Sequence, residues 1–201
     1  MRKASPHCGY QETELPRIVK LGHAVSTDLA ACAAVSKFSL RRGDSYAVRR
    51  DENILTTPYR MATSTATGEA VRHVADIACK EICRTIPDRK FTLDSSSFIL
   101  YRKDDFIGLH TDRAGCEKNA LILLAGPSTY FELFPEISIH NLPRDFLNNL
   151  SKTNGIYTNH AVRLPLEQPG DCAIFPGRQI AHQRQPCSEP LLFLSLCFKE
   201  W

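Results

Sequence analysis

Three side chains in this sequence have the types and the order needed to hold a metal ion. His110 and Asp112 lie in the run Gly108-Leu109-His110-Thr111-Asp112, and His182 follows much later in Ile180-Ala181-His182. Side chains on an extended strand alternate with a period of two, so His110 and Asp112 fall on one face. A histidine from a later strand of the same sheet completes a set of three ligands. Two imidazoles and one carboxylate on one side of an ion, with the other side open, suit non-haem Fe(II) chemistry with O2. The remaining histidines (His7, His23, His73, His140 and His160) read as ordinary core or surface residues.

Holding such a set requires strands, and the second half of the chain supplies them. Ser97–Tyr101, Ala120–Leu124, Tyr130–Phe134, Ala161–Leu164, Cys172–Phe175, Ile180–His182 and Leu191–Phe198 are short β-prone runs. Gly126-Pro127, Asn154-Gly155, Pro169-Gly170-Asp171 and Pro176-Gly177 separate them with turn chemistry. Many short strands at this spacing predict a sandwich or barrel. Residues 137–153 are more polar and read as an insertion with a short helix near Pro143. The first ninety residues differ in texture. Ser26-Thr27-Asp28 predicts a cap for an Ala-rich helix through Val35, and Arg41 to Thr67 reads as a polar segment. Val71, Val74, Ala75, Ala78 and Ile82 then recur at helical spacing, with Arg72, Asp76 and Lys80 on the opposite side and Pro87 as the stop.

The 201 residues, 43% hydrophobic and 23% charged, are those of an ordinary globular protein long enough to bury a core without disulfides. A formal charge of +3 is too mild to argue for nucleic acid as a partner. The basic pairs Arg41-Arg42 and Arg49-Arg50 read as solvated faces. Eight cysteines are many for this length. They form no CxxC, and Cys79 and Cys83 lack further partners for a zinc site, so reduced and mostly buried thiols are expected. The leading Met-Arg-Lys-Ala-Ser-Pro-His carries no apolar stretch, and no run is long enough to span a bilayer. A cytoplasmic location without membrane association is the expectation.

The order of these motifs resembles the core of the Fe(II)/2-oxoglutarate-dependent oxygenases, especially the prolyl-hydroxylase-like branch. Tyr101 is followed by His110-x-Asp112 and an apolar strand. Tyr-Phe-Glu-Leu-Phe-Pro-Glu (130–136), Pro-Gly-Asp-Cys-Ala-Ile-Phe-Pro (169–176) and His182-Gln-Arg-Gln-Pro186 come next. The resemblance covers residues 97–198. It implies a mainly β protein of α+β class, with a double-stranded β-helix or jelly-roll (cupin-like) core over 91–201. Residues 1–90 would be a helical N-terminal extension packed on that core, within a single structural domain. It also implies that His110, Asp112 and His182 hold Fe(II), that 2-oxoglutarate and O2 are co-substrates, and that Tyr101 hydrogen-bonds the co-substrate carboxylate. No catalytic residue beyond the metal ligands is assigned. Relatives with Gly at the carboxylate position leave room for halide, so Asp112 argues against halogenation. Hydroxylation, desaturation and cyclisation stay open.

The sequence departs from that family in one place. An Arg or Lys is expected on the strand after the distal histidine, to pair with the far carboxylate of 2-oxoglutarate. Cys187 to Ser195 contains no basic residue, and Pro190 or a neighbouring Leu stands at the expected position. Arg184, two residues after His182, shares its face and is the first substitute; Arg102, Lys118, Arg178 and Lys199 are less well placed. Arg49, Arg50 and Arg60 are candidates for an anionic substrate group. The reading is an iron oxygenase acting on a small organic substrate such as an amino acid. An iron oxygenase whose substrate itself chelates the metal, a protein hydroxylase and a non-catalytic metal-binding scaffold are the alternatives.

Overall fold

The computed structural model describes residues 16–201. His7, Cys8 and the leading segment discussed above lie outside the described residues. The expected strands are present: β6 (Phe91–Tyr101), β7 (Phe106–His110), β8 (Lys118–Ala125), β9 (Thr129–Phe134), β10 (Val162–Leu166), β11 (Asp171–Phe175), β12 (Ala181–Arg184) and β13 (Leu191–Glu200). Before them come β1 (Arg17–Lys20), β2 (Ser39–Gly43), β3 (Ala47–Arg49), β4 (Ile54–Thr56) and β5 (Tyr59–Thr65). Among the described residues there are also three α-helices, α1 (His23–Ala34), α2 (Glu69–Thr85) and α3 (Phe146–Ser151), and a short 3-10 turn at Ile139–Asn141.

Eleven strands form one antiparallel sheet in the order β1-β11-β8-β13-β6-β5-β7-β12-β9-β10, with β2 alongside β5. The order divides into two four-stranded leaves, β11-β8-β13-β6 and β7-β12-β9-β10, joined by β5. Tyr101, Leu121, Leu123, Phe175 and Phe193 of the first leaf pack with Phe131, Leu133, Leu164 and Leu166 of the second, so the leaves face each other across one core. The alternate residues of the first leaf point the other way. Phe98, Ala120, Ile122, Leu124, Leu194, Leu196 and Phe198 meet Leu29 and Ala33 of α1 and the Val71, Val74, Ala75, Ala78 and Ile82 face of α2. Burial on both faces explains why β8 and β13 read as continuous apolar runs rather than as alternating ones.

Two elements differ from the sequence reading. Helix α1 starts at His23, a turn earlier than the Ser-Thr-Asp signal suggested. The Ser26 and Thr27 hydroxyls donate back to the His23 carbonyl inside the first turn instead of capping it. The polar segment after Arg41 is largely strand: β2 and β5 extend the main sheet, and β3 pairs with β4 as a separate hairpin. Strand β5 pairs with both β6 and β7. Strands on both sides of residue 90 therefore share one sheet, with α1 and α2 as the helical layer.

A candidate metal centre between two leaves

His110 ends β7 and His182 lies on β12, directly opposite in the antiparallel register. Asp112 sits just beyond the end of β7, where its backbone N–H donates to the Gly177 carbonyl at 2.9 Å. Asp112 Oδ1 lies 3.8 Å from His110 Nε2 and 3.6 Å from His182 Nε2. One ligand atom from each residue lies within 4.8 Å of the other two, so all three can reach a single ion. His182 is buried, while the His110 and Asp112 side chains are 16% and 15% exposed, which leaves the centre open on one side.

The two imidazoles are fixed in the same way. His110 Nδ1 lies 2.9 Å from the Gly108 carbonyl, and His182 Nδ1 lies 2.9 Å from the Ile180 carbonyl. A carbonyl only accepts, so each Nδ1 carries the proton and each Nε2 keeps its lone pair toward Asp112. Such outer hydrogen bonds set the tautomer of metal-ligating histidines. Burial, followed by the nearby His182, drives the His110 imidazole down to about 4. Burial alone would raise the Asp112 carboxyl, but His182, His110 and the amide of Asn119 outweigh it and hold the group down at about 2. A neutral imidazole and an ionised carboxylate are the forms a divalent cation needs. The donor set, two nitrogens and a carboxylate with an open side, fits Fe(II).

Asp112 Oδ2 points away from the histidines and accepts a hydrogen bond from Asn119 Nδ2 at 2.9 Å. Gly177 comes so close that a Cβ there would collide with Oδ2. Cys116 Sγ is 3.5 Å from the same oxygen, and Cys116 is joined to Cys197 in a disulfide. That pair corrects the expectation of reduced thiols throughout; Cys32, Cys79, Cys83, Cys172 and Cys187 are free. Asn119, Gly177 and Cys116 were absent from the sequence-derived site. Pro176-Gly177 carried a turn signal, but the contacts of Asn119 and Cys116 depend on sheet register, which has no local mark.

Strand β12 is buried along its whole length although three of its four residues are polar. Gln183 faces outward, donating to Glu132 and to the Tyr157 carbonyl and accepting from the Tyr157 N–H, each at 2.8 Å. That leaves His182 and Arg184. Beyond a register shift, Arg184 donates to the Tyr130 carbonyl at 3.0 Å and to Thr129 Oγ1. Its guanidinium lies 5.5, 5.3 and 5.2 Å from the ring centres of Tyr101, Phe131 and Phe193. Arg184 is buried, and among the described residues no carboxylate pairs with it. Tyr101 is fully buried beside it, and burial pushes the phenol up, so it stays protonated. On β13, Leu191 and Phe193 face the inner cluster, and no residue from Cys187 to Ser195 is basic. The less favoured cations are elsewhere: Arg178 pairs with Glu117 at 3.2 Å, Arg102 and Lys199 are exposed, and Lys118 is buried at the start of β8. Arg49 pairs with Glu52 at 3.1 Å and Arg60 with the buried Asp105 at 2.7 Å.

Comparison with solved structures gives close matches in architecture. A prolyl-4-hydroxylase of Pseudomonas putida superposes with a TM-score of 0.56 at 16% identity, over 92% of each chain. A 2OG-Fe(II) oxygenase-family oxidoreductase of Burkholderia pseudomallei gives 0.59 at 10% identity, over 94% of this chain and 86% of that one. The fold is the double-stranded β-helix. HygX of Streptomyces hygroscopicus, solved with nickel, 2-oxoglutarate and hygromycin B bound, matches at 0.58 and 10% identity over 94% and 84% of the two chains. No family model and no curated protein matches the sequence. In the double-stranded β-helix seen here, both histidines come from the paired strands β7 and β12 of one leaf. The Asn119 that meets Asp112 comes from the other.

Proposed function

We propose that this protein is a non-haem Fe(II)-dependent oxygenase that uses 2-oxoglutarate and O2 to oxidise a small organic substrate. The observation that carries the reading is the convergence of His110 Nε2, His182 Nε2 and Asp112 Oδ1, with both Nδ1 atoms already committed to backbone carbonyls. Bound iron would supply open coordination positions at which a 2-oxo acid and O2 meet, coupling decarboxylation of the 2-oxo acid to oxidation of a substrate C–H bond. The chain's own residues do the rest. His110, Asp112 and His182 hold the ion from one side. Arg184, a buried cation with no acidic partner among the described residues, receives the far carboxylate of 2-oxoglutarate, and its planar fork suits that group. Tyr101 stays protonated and offers a hydrogen bond to the same carboxylate. Phe131, Phe175 and Phe193 exclude water between the leaves; the Phe175 ring lies 4.9 Å from that of His182.

HygX is solved with the small molecule hygromycin B bound as well as nickel and 2-oxoglutarate, which favours the small-substrate reading; a prolyl hydroxylase of Trichoplax adhaerens is seen with a peptide fragment. The absence of a basic residue from Cys187 to Ser195 favours a second reading, in which the organic substrate chelates iron and 2-oxoglutarate is not used. Purified protein loaded with Fe(II) decides between them. Succinate formed from 2-oxoglutarate under O2, and lost in His182→Ala, supports the first reading. O2 uptake with a chelating substrate but no succinate supports the second.

A further inference from the structure

Two polar residues stand on the faces of β8 and β13 that also carry Leu121, Leu123 and Phe193 inward: Asn119 near the start of β8 and Ser195 in the middle of β13. Both are buried, at 7% and 9% exposure, and Asn119 lies on the leaf opposite the one that carries the histidines. A buried amide is costly unless its donors and acceptor are used. Here they are used in one direction. Ser195 Oγ–H donates to Asn119 Oδ1 at 3.2 Å, which fixes the amide so that Nδ2 faces Asp112, and Nδ2 donates to Asp112 Oδ2 at 2.9 Å. The sulfur of Cys116 also touches Oδ2, but in a disulfide it has no proton to give. Gly177 closes the remaining side, with no room for a side chain.

A carboxylate can hold a metal through one oxygen or two, and it can rotate about its last bond. The amide ties down Oδ2 and leaves Oδ1 facing the two imidazoles. We infer that Asn119, itself oriented by Ser195, is a positioning residue that makes Asp112 a one-oxygen ligand and so keeps the opposite side of the ion free for co-substrate. This rests on the metal-site reading above. Outer hydrogen bonds of this kind are typically worth about 10- to 100-fold in metal affinity.

Anaerobic titration of the full chain with Co(II), followed by its visible d–d absorption and by calorimetry, tests the inference without turnover. Asn119→Leu, close in size but without a donor, is expected to bind Co(II) about 10- to 100-fold more weakly and with an altered d–d spectrum. Ser195→Ala is expected to shift the same spectrum, and Ser195→Thr, which keeps the hydroxyl, to restore it. Wild-type spectrum and affinity in Asn119→Leu overturns the inference. If Asn119→Leu does not fold, Ser195→Ala decides: a shifted spectrum supports the inference, and an unchanged one overturns it. Failure of the wild-type protein itself to bind Co(II) is a separate result, which removes the metal-site reading.

Discussion

At the scale of single residues, the centre consists of groups whose protonation and direction are set before any ion arrives. The His110 imidazole is held down at about 4, below its ordinary 6.5. The unfolded chain therefore binds a proton in that window that the folded chain refuses, and stability rises with pH across it. Metal-free protein is expected to lose melting temperature as pH falls from 6.5 toward 4, and His110→Leu to flatten that dependence; thermal unfolding at a series of pH values checks it. Asp112 is held down at about 2, so its contribution persists above 3.8 and is lost only in stronger acid. Arg184 makes a different prediction. Arg184→Met, which keeps the bulk among Tyr101, Phe131 and Phe193, is expected to raise the KM for 2-oxoglutarate about 10- to 100-fold, or about 1.4 to 2.7 kcal/mol, with the metal still bound. An unchanged KM would remove Arg184 from the co-substrate site. His110, Asp112 and His182 were legible in the sequence as a candidate set because spacing along a strand decides which face a side chain takes. Asn119, Ser195 and Gly177 were not, because they reach Asp112 through pairings between distant strands.

At the scale of elements, what the sequence revealed depended on how each element is buried. The amphipathic face of α2 was readable because Val71 to Ile82 repeat at helical spacing against a solvated opposite side. Strands β8, β11 and β13 were readable as apolar runs between turns. Strand β2 was not: it lies at the sheet margin, is mostly exposed, and reads Ser-Leu-Arg-Arg-Gly with no apolar alternation. Strand β5 was hidden in the same polar stretch although it joins the two leaves. This bears on the boundary near residue 90. A fragment of residues 91–201 lacks β5 and also exposes the apolar residues that α1 and α2 cover on β6, β8 and β13. We expect it to aggregate or bind a hydrophobic dye and to hold no metal. A monomeric, cooperatively unfolding fragment with wild-type metal affinity would mean that the core is an independent unit.

At the scale of the whole molecule, the leaves hold apolar residues between them and polar ligands at one end, and the outer hydrophobic clusters brace that end. Leu109 and Ala181, neighbours of the two histidines, are packed from outside by Phe134 of β9 and by Ile137 and Phe146 of the segment read as an insertion. Cys116–Cys197 ties the loop after Asp112 to the end of β13. Thiol titration of the denatured protein before and after reduction is therefore expected to differ by the two thiols of this pair, and equal counts would mean that the pair is reduced. The lesson of the disulfide is also one of register: Cys116 and Cys197 are 81 residues apart, and only the pairing of β8 with β13 brings them together. Among the described residues no helix is long and apolar enough to cross a membrane. The central claim, that His110, Asp112 and His182 form an iron centre that accepts a 2-oxo acid, is tested most directly by anaerobic titration of Fe(II) followed by 2-oxoglutarate. The account predicts one ion per chain and a visible charge-transfer absorption that appears on adding 2-oxoglutarate and is absent in Asp112→Ala. Binding of iron that survives His110→Ala and His182→Ala unchanged, or no binding by the wild-type chain, would contradict it.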